Sequence, residues 1–272
     1  MPIKYSNERH KNMYKNLPSG IYVSGQGPAV ILLHSSLSSA RQWLPLVNML
    51  TSNHLVINVD ILGYGKADDI IDPDNYNFDV EIARIKKVIK VLIPTEKYHL
   101  VGHSCGGAIA LKLAVEAPEN VLSMSLYEPV AFHLLSEGSD ARKQSDLFAK
   151  KVDIDDKYQA AEIFTDFWNK DGFFKTLPQK MQDYMAADMA KVRLDFKGLI
   201  SETYSENDLQ YILCDTLLLR GINSPELSHI LINKIAMALP HVEQVTFNAG
   251  HMGPIDNSSI IQPVIANFIK ER

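Results

Sequence analysis

The segment Gly102-His103-Ser104-Cys105-Gly106 holds a serine whose neighbours could make it a nucleophile, in the pattern Gly-x-Ser-x-Gly. The apolar run Tyr98-His-Leu-Val101 before it reads as a strand, and Gly107-Ala-Ile-Ala-Leu-Lys-Leu-Ala after it as a helix. A serine between the two sits on a sharp, strained turn with its hydroxyl presented outward. Glycine flanks it because a Cβ would clash in so tight a bend. The helix beginning behind Ser104 offers unpaired N–H groups and the positive end of its dipole, which stabilise a developing oxyanion. The chemistry is attack on a carbonyl carbon. Cys105 is a rival nucleophile, but its side chain leaves the turn in another direction, and its expected contribution is a backbone N–H. The bland alternative is a glycine-rich turn with an incidental serine.

Metal chemistry has a weaker basis. His99 and His103 are four residues apart, the spacing of a helical zinc pair. On a strand and the turn after it, that spacing spans roughly 13 Å, too far for one ion. The chain has no Cys-x-x-Cys, no phosphate-binding loop and no complete Gly-x-Gly-x-x-Gly. No metal and no cofactor is expected.

The elements that must position Ser104 are legible as hydrophobic pattern. Ala29–Leu33, Leu55–Val59, Tyr98–Val101, Leu122–Leu126, Thr216–Leu219 and Val242–Phe247 are short β-rich runs, several apolar on both faces as in a covered parallel sheet. Asp79–Leu92, Ala108–Ala117, Ile230–Leu239 and Ile260–Ile269 carry apolar residues at helical spacing. Alternation of this kind predicts an α/β sheet with helices on both faces.

The alternation breaks between about Val130 and Tyr211, where the pattern is helical and rich in Phe132, Phe148, Phe164, Phe167, Trp168, Phe173, Phe174, Met181, Tyr184, Met185 and Met189. Two readings stand together: a helical subdomain with its own core, and a lid whose inner face lines an apolar substrate pocket. The expected division is a core of residues 1–130 and 212–272 with a lid of residues 131–211.

With 272 residues, there is room for one large domain carrying such an insertion. A net charge of −5 without a Lys/Arg run argues against nucleic acid as partner. The N-terminal ten residues lack the apolar run of a secretory signal, and no stretch approaches the roughly 18–20 apolar residues of a membrane span. With only Cys105 and Cys214, a reduced cytoplasmic protein is the simpler expectation. The expected partner is a small-molecule substrate, not a membrane.

Further motifs, taken with the serine turn, resemble the α/β-hydrolase superfamily over essentially the whole chain outside the inserted segment. His34-Ser35-Ser36 ends a strand where the family has His-Gly-x, with Trp43 following at the usual distance. Asp60-Ile-Leu-Gly63-Tyr-Gly65 is similar to its Asp-x-x-Gly-x-Gly turn, and Ala249-Gly250-His251-Met252 to its catalytic-histidine loop. Glu128-Pro129 and Trp168-Asn169 resemble a bacterial subgroup.

The resemblance implies Ser104 as nucleophile, His251 as general base, and an oxyanion hole made by the backbone N–H groups of Ser36 and Cys105. Ser35 stands where glycine is usual, which implies an altered oxyanion loop and offers a hydroxyl to line it. His34 is expected to pack behind that loop. Asp60 is expected to fix the loop after its own strand, since it precedes Ser104 against the family order of nucleophile, acid, histidine.

The acid is less plainly marked. The loop after Thr216–Leu219 presents Asn223 and Ser224 where an Asp is usual. Two carboxylates preserve the order. Glu128 follows the Leu122–Leu126 strand, and Pro129 after it predicts extended backbone at the sheet's C-terminal edge. Glu226 lies beyond Pro225, in a first helical turn where an acid already complements the helix dipole. Glu128 is the expected acid and Glu226 the alternative.

The implied reaction is acyl transfer through a serine ester, on a small or medium apolar ester or lactone. Carbon–carbon hydrolysis of a ring-cleavage product is the second enzymatic reading, and a non-catalytic ligand-binding member of the fold is the rival from another class. Dehalogenases and epoxide hydrolases of this fold carry Asp at the turn, and Ser104 argues against both.

Overall fold

The computed structural model describes residues 17–272. The N-terminal segment read above for a signal sequence lies outside them. Seven strands form one sheet in the order β1-β3-β2-β4-β5-β6-β7. They are β1 (Ile21–Ser24), β2 (Ala29–Leu33), β3 (Leu55–Val59), β4 (Tyr98–His103), β5 (Val121–Tyr127), β6 (Asp215–Gly221) and β7 (Val242–Phe247). Every pairing is parallel except β1 with β3.

Strand side chains alternate between two cores, as a period of two requires. Ile31, Leu33, Ile57, Val59, Leu100, Met124 and Leu126 face one side. There they meet α2 (Phe78–Leu92) and α3 (Cys105–Glu116), together with α8 (Glu226–Ala238). Val30, Leu32, Val56, Val101, Leu217 and Leu219 face the other, against α1 (Leu44–Leu50) and α9 (Ser258–Lys270). Gln262 ties that second layer together: it accepts from the Leu46 N–H at 2.7 Å and donates to the Gln42 and Pro254 carbonyls at 3.0 and 2.9 Å.

Between β5 and β6 the described chain is helical, as its pattern predicts. It includes α4 (Asp140–Val152), α5 (Lys157–Trp168), α6 (Gln179–Ala187) and α7 (Met189–Ser201). Phe148, Phe164, Phe167, Trp168 and Phe196 form an aromatic cluster within it, the Phe148 and Phe167 rings stacking at 4.0 Å. Two residues of the expected apolar set, Met181 and Tyr184, are instead exposed. No helix among the described residues is long and apolar enough to cross a membrane.

The strand order places a topological switch between β2 and β4. From β2 the chain leaves toward β3 on one side, and from β4 toward β5 on the other. At such a point the connections diverge and leave a crevice beyond the carboxyl ends of the strands. Ser35, Ser36 and Ser104 all lie there.

Candidate active site

Ser104 sits between the last residue of β4 and the first turn of α3 with φ 56° and ψ −119°. Neighbouring backbone holds it in that left-handed conformation: its N–H donates to Tyr127 O at 3.0 Å, and its carbonyl accepts from Ala108 and Val130 at 3.0 and 3.3 Å. Close packing explains the two glycines of the motif. A Cβ on Gly102 would lie 2.6 Å from Gly106 O, and one on Gly106 only 2.3 Å from His34 O.

The Ser104 hydroxyl donates to His251 Nε2 at 2.9 Å. His251 Nδ1 donates to Glu128 Oε2 at 2.7 Å, since an ionised carboxylate can only accept. All three are buried, Ser104 at 6% exposure and the other two at 1%. Burial pushes the Glu128 carboxyl up, but the hydrogen bonds and charge of His251, the Ser224 hydroxyl and the Gly221 N–H outweigh it and hold it below the usual carboxylate range. Glu128 Oε1 accepts from Ser224 Oγ at 2.6 Å and from Gly221 N at 2.7 Å. The end of β6 and the loop after it, which lacks an acid of its own, thus supply donors to an acid just beyond β5. Glu226 opens α8 as an exposed residue and does not join the group.

One backbone expectation is corrected. Pro129 predicts extended geometry at Glu128, which instead has φ 42°. Anchors on both sides impose the turn. The Glu128 N–H donates to Leu219 O at 3.1 Å, and its carboxylate is bonded to the loop beyond β6.

The His251 loop is held from below and above. His103 Nε2 donates to His251 O at 2.8 Å, and the Tyr127 hydroxyl to Gly250 O at 2.8 Å. From the inserted helices, the Trp168 indole stacks on the His251 ring at 4.0 Å. A groove of about 690 Å³ between α4 and α5, lined by Phe148, Ile163 and Phe167, reaches none of Ser104, His251 and Glu128. Trp168 lies between its aromatic wall and the imidazole.

Among the hydrogen bonds of the described residues, none uses the Ser36 or Cys105 N–H as donor. The Cys105 side chain is fully buried, and burial pushes its thiol well above the ordinary range, which disfavours a thiolate nucleophile. Ser35 turns its hydroxyl away, donating to Gln42 Oε1 at 3.1 Å, and its N–H donates to the same oxygen at 3.2 Å. His34 packs behind the loop. Its Nε2 accepts from Ile61 N at 2.9 Å, its Nδ1 donates to Ser35 O at 2.7 Å, and burial lowers its pKa to about 4. Asp60 accepts from the N–H groups of Ala40 and Lys66 at 2.6 and 2.8 Å, holding its own turn.

Two buried charges in the inserted segment have no counterpart in the sequence reading. Lys191 and Asp195 on α7 pair with each other, and Asp195 bonds Ser36. The face they present is therefore not wholly apolar. Helical spacing puts positions 191 and 195 on one face, but nothing local says that this face turns inward.

The chain belongs to the alpha/beta hydrolase fold family, whose sequence model matches residues 28–258. It is similar to a pimeloyl-[acyl-carrier protein] methyl ester esterase of Legionella pneumophila, 25% identical over 261 residues, 90% of this chain and 97% of that one. It is 29% identical to a fluoroacetate dehalogenase of a Burkholderia species over 121 residues, 43% of this chain and 40% of that enzyme's length. Among solved structures, the enol-lactonase of Burkholderia xenovorans superposes with a TM-score of 0.76 at 16% identity, covering 93% of this chain and 96% of that one. A meta-cleavage product hydrolase of Pseudomonas fluorescens gives 0.71 at 18% identity, with coverages of 93% and 94%. The family relation supports hydrolase activity.

Proposed function

We propose that the protein is a serine hydrolase that cleaves a small or medium apolar ester-type substrate by acyl transfer. The observation that carries this reading is the continuous, buried chain of hydrogen bonds from Ser104 through His251 to Glu128 at the switch point of the sheet. With its proton on Nδ1, His251 presents the Nε2 lone pair to the Ser104 hydroxyl. It removes that proton as Oγ attacks the substrate carbonyl. Glu128 holds the tautomer and stabilises the imidazolium that forms. The oxyanion is received by the Ser36 and Cys105 N–H groups, each such donor typically worth roughly 3–4 kcal/mol of barrier. The imidazolium then protonates the leaving group. Water, deprotonated by the same histidine, releases the acid.

The inserted helices act in this reading as a cap, with Trp168 covering His251. The aromatic cluster behind Trp168 supports an apolar acyl group. An esterase among the relatives and an enol-lactonase among the structural neighbours support an ester or lactone. Two cysteines without a disulfide fit a cytoplasmic setting.

The test is Ser104→Ala. Loss of the nucleophile should lower kcat by several orders of magnitude, about 10⁶ in the best-studied triad, with the fold intact. Labelling by a fluorophosphonate should disappear with it. Retained turnover in the purified variant would remove the mechanism. A panel of esters, lactones and ring-cleavage diketones then fixes the bond cleaved; preference for a diketone would replace the ester reading by carbon–carbon hydrolysis.

A further inference from the structure

The mechanism above leaves Lys191 and Asp195 unused, although both are buried, at 6% and 1% exposure. They lie one turn apart on α7, and the Lys191 ammonium donates to Asp195 Oδ1. Asp195 Oδ2 accepts two more hydrogen bonds, from Ser36 Oγ at 2.6 Å and from the Tyr64 hydroxyl at 2.6 Å. Lys191 continues to the Tyr76 hydroxyl at 3.3 Å, and Tyr76 donates to Glu81 Oε1 at 3.1 Å. Its ammonium lies 4.9 and 5.0 Å from the Tyr64 and Tyr76 ring centres. One carboxylate on an inserted helix therefore receives donors from the loop after β2 and from the turn after β3.

Stability is a weak explanation for such a group, because buried ion pairs can often be replaced by apolar residues without loss. The position of Ser36 suggests another. The next residue, Leu37, has φ 54°, a left-handed conformation that residues with side chains rarely adopt. The loop is thus bent where its backbone would not rest unaided. On the sheet side, Gln42 and His34 hold Ser35. Asp195 is the hydrogen-bond partner of the Ser36 side chain. A bond to the Ser36 side chain restrains its Cα and so limits how far its own N–H can turn.

We propose that Asp195 is a positioning residue that holds the Ser36 N–H in the oxyanion hole, with Lys191 orienting the Asp195 carboxylate through their ion pair. An inserted helix thereby completes the catalytic geometry made at the sheet edge. The inference rests on the reading of Ser36 as an oxyanion donor.

The experiment compares Asp195→Asn, Ser36→Ala and the double variant on one ester, with a boronic acid as transition-state analogue. Ser36→Ala keeps the N–H and removes only the hydroxyl that donates to Asp195, so it decides the matter even if Asp195→Asn does not fold. Each single variant should lose roughly ten- to a hundredfold in kcat, less than the 10²–10³ of a missing donor. KM should stay within about threefold, the signature of an interaction made mainly in the transition state. Boronate inhibition should weaken by the same factor as kcat/KM, while binding of the product acid is unchanged. The double variant should be little worse than the worse single one, because both break one contact. Wild-type kcat in Ser36→Ala, or a rise in KM alone, would overturn the proposal. If Ser104→Ala is inactive while Asp195→Asn and Ser36→Ala turn over normally, only the positioning role fails; if Ser104→Ala is active, the site reading fails with it.

Discussion

Leu37, Ser104 and Glu128 are the non-glycine residues with positive φ among the described residues, at 54°, 56° and 42°. All three belong to the site: one follows Ser36, one is the proposed nucleophile and one the proposed acid. Strained backbone of this kind costs of order 1–3 kcal/mol per residue and persists where the surroundings over-determine it. At Ser104 and Glu128 the determining bonds are visible, to Tyr127, Ala108 and Leu219. The acid can be tested at this same scale. In Glu128→Gln the amide would face the imidazole as a donor and favour the tautomer with its proton on Nε2, which cannot accept from Ser104. We expect kcat to fall by roughly 10³–10⁴, as for triad acids with the wrong tautomer. Glu226→Gln, altering an exposed residue of a first helical turn, should change kcat less than about tenfold. Both variants measured on one ester decide it, and the reverse pattern would move the acid to Glu226. Ser104 and His251 were legible because short motifs mark them. Ser224 and Asp195 were not, since a hydrogen-bond donor to an acid and a carboxylate on a helix have no local signature.

At the scale of elements, the site depends on how closely α3 approaches β2. The ideal Cβ of an alanine at position 106 would lie 2.3 Å from His34 O and 2.5 Å from Leu33 O, both backbone atoms that cannot rotate away. Gly106→Ala must therefore push the start of α3 off the end of β2, moving the Cys105 N–H relative to the Ser36 loop. Overpacking of this kind costs about 1–3 kcal/mol. Denaturant unfolding should register that loss, with a fall in kcat larger than any change in KM. An alanine variant with unchanged stability and turnover would mean the helix start is looser than these contacts imply. The same close packing explains what the sequence revealed about the fold. Strands β2 and β3 begin and end where their apolar runs do, because both faces of these inner strands are covered and the pattern is nearly unbroken. Strand β1 escaped detection. It is four residues long, lies at the sheet edge, and leaves Tyr22 exposed, so neither length nor alternation marks it. The inserted helices were legible as helices, but the packing of Trp168 on His251 is a tertiary fact that periodicity does not carry.

For the whole molecule, the feature with the widest consequence is the number of histidines kept neutral by burial. Burial lowers His34, His99 and His133 from 6.5 to about 4, lowers His54, and holds His103 well below its ordinary value. Each ring is unprotonated in the fold at a pH where the unfolded chain would protonate it. Between pH 6.5 and 4 the unfolded state therefore binds more protons, and stability rises with pH across that window. The contribution is fully present above about pH 6.5 and is lost as pH falls toward 4. Burial also raises the carboxyls of Glu81, Asp188, Glu202 and Asp256, which pick up protons in the fold early and oppose the trend. A single-histidine variant isolates the effect. His99 is suited to this because it lies near the start of β4, away from the site, with its Nδ1 bonded to Ser123 Oγ at 2.8 Å. His99→Gln keeps a polar partner for that hydroxyl and removes one titrating ring. Urea unfolding at pH 7 and pH 5 should show wild type losing more stability than the variant by about 2 kcal/mol, the linkage expected for one group shifted from 6.5 to about 4. Equal losses in the two proteins would show that His99 titrates alike in the folded and unfolded states, and that burial of this ring is not what makes the fold sensitive to acid.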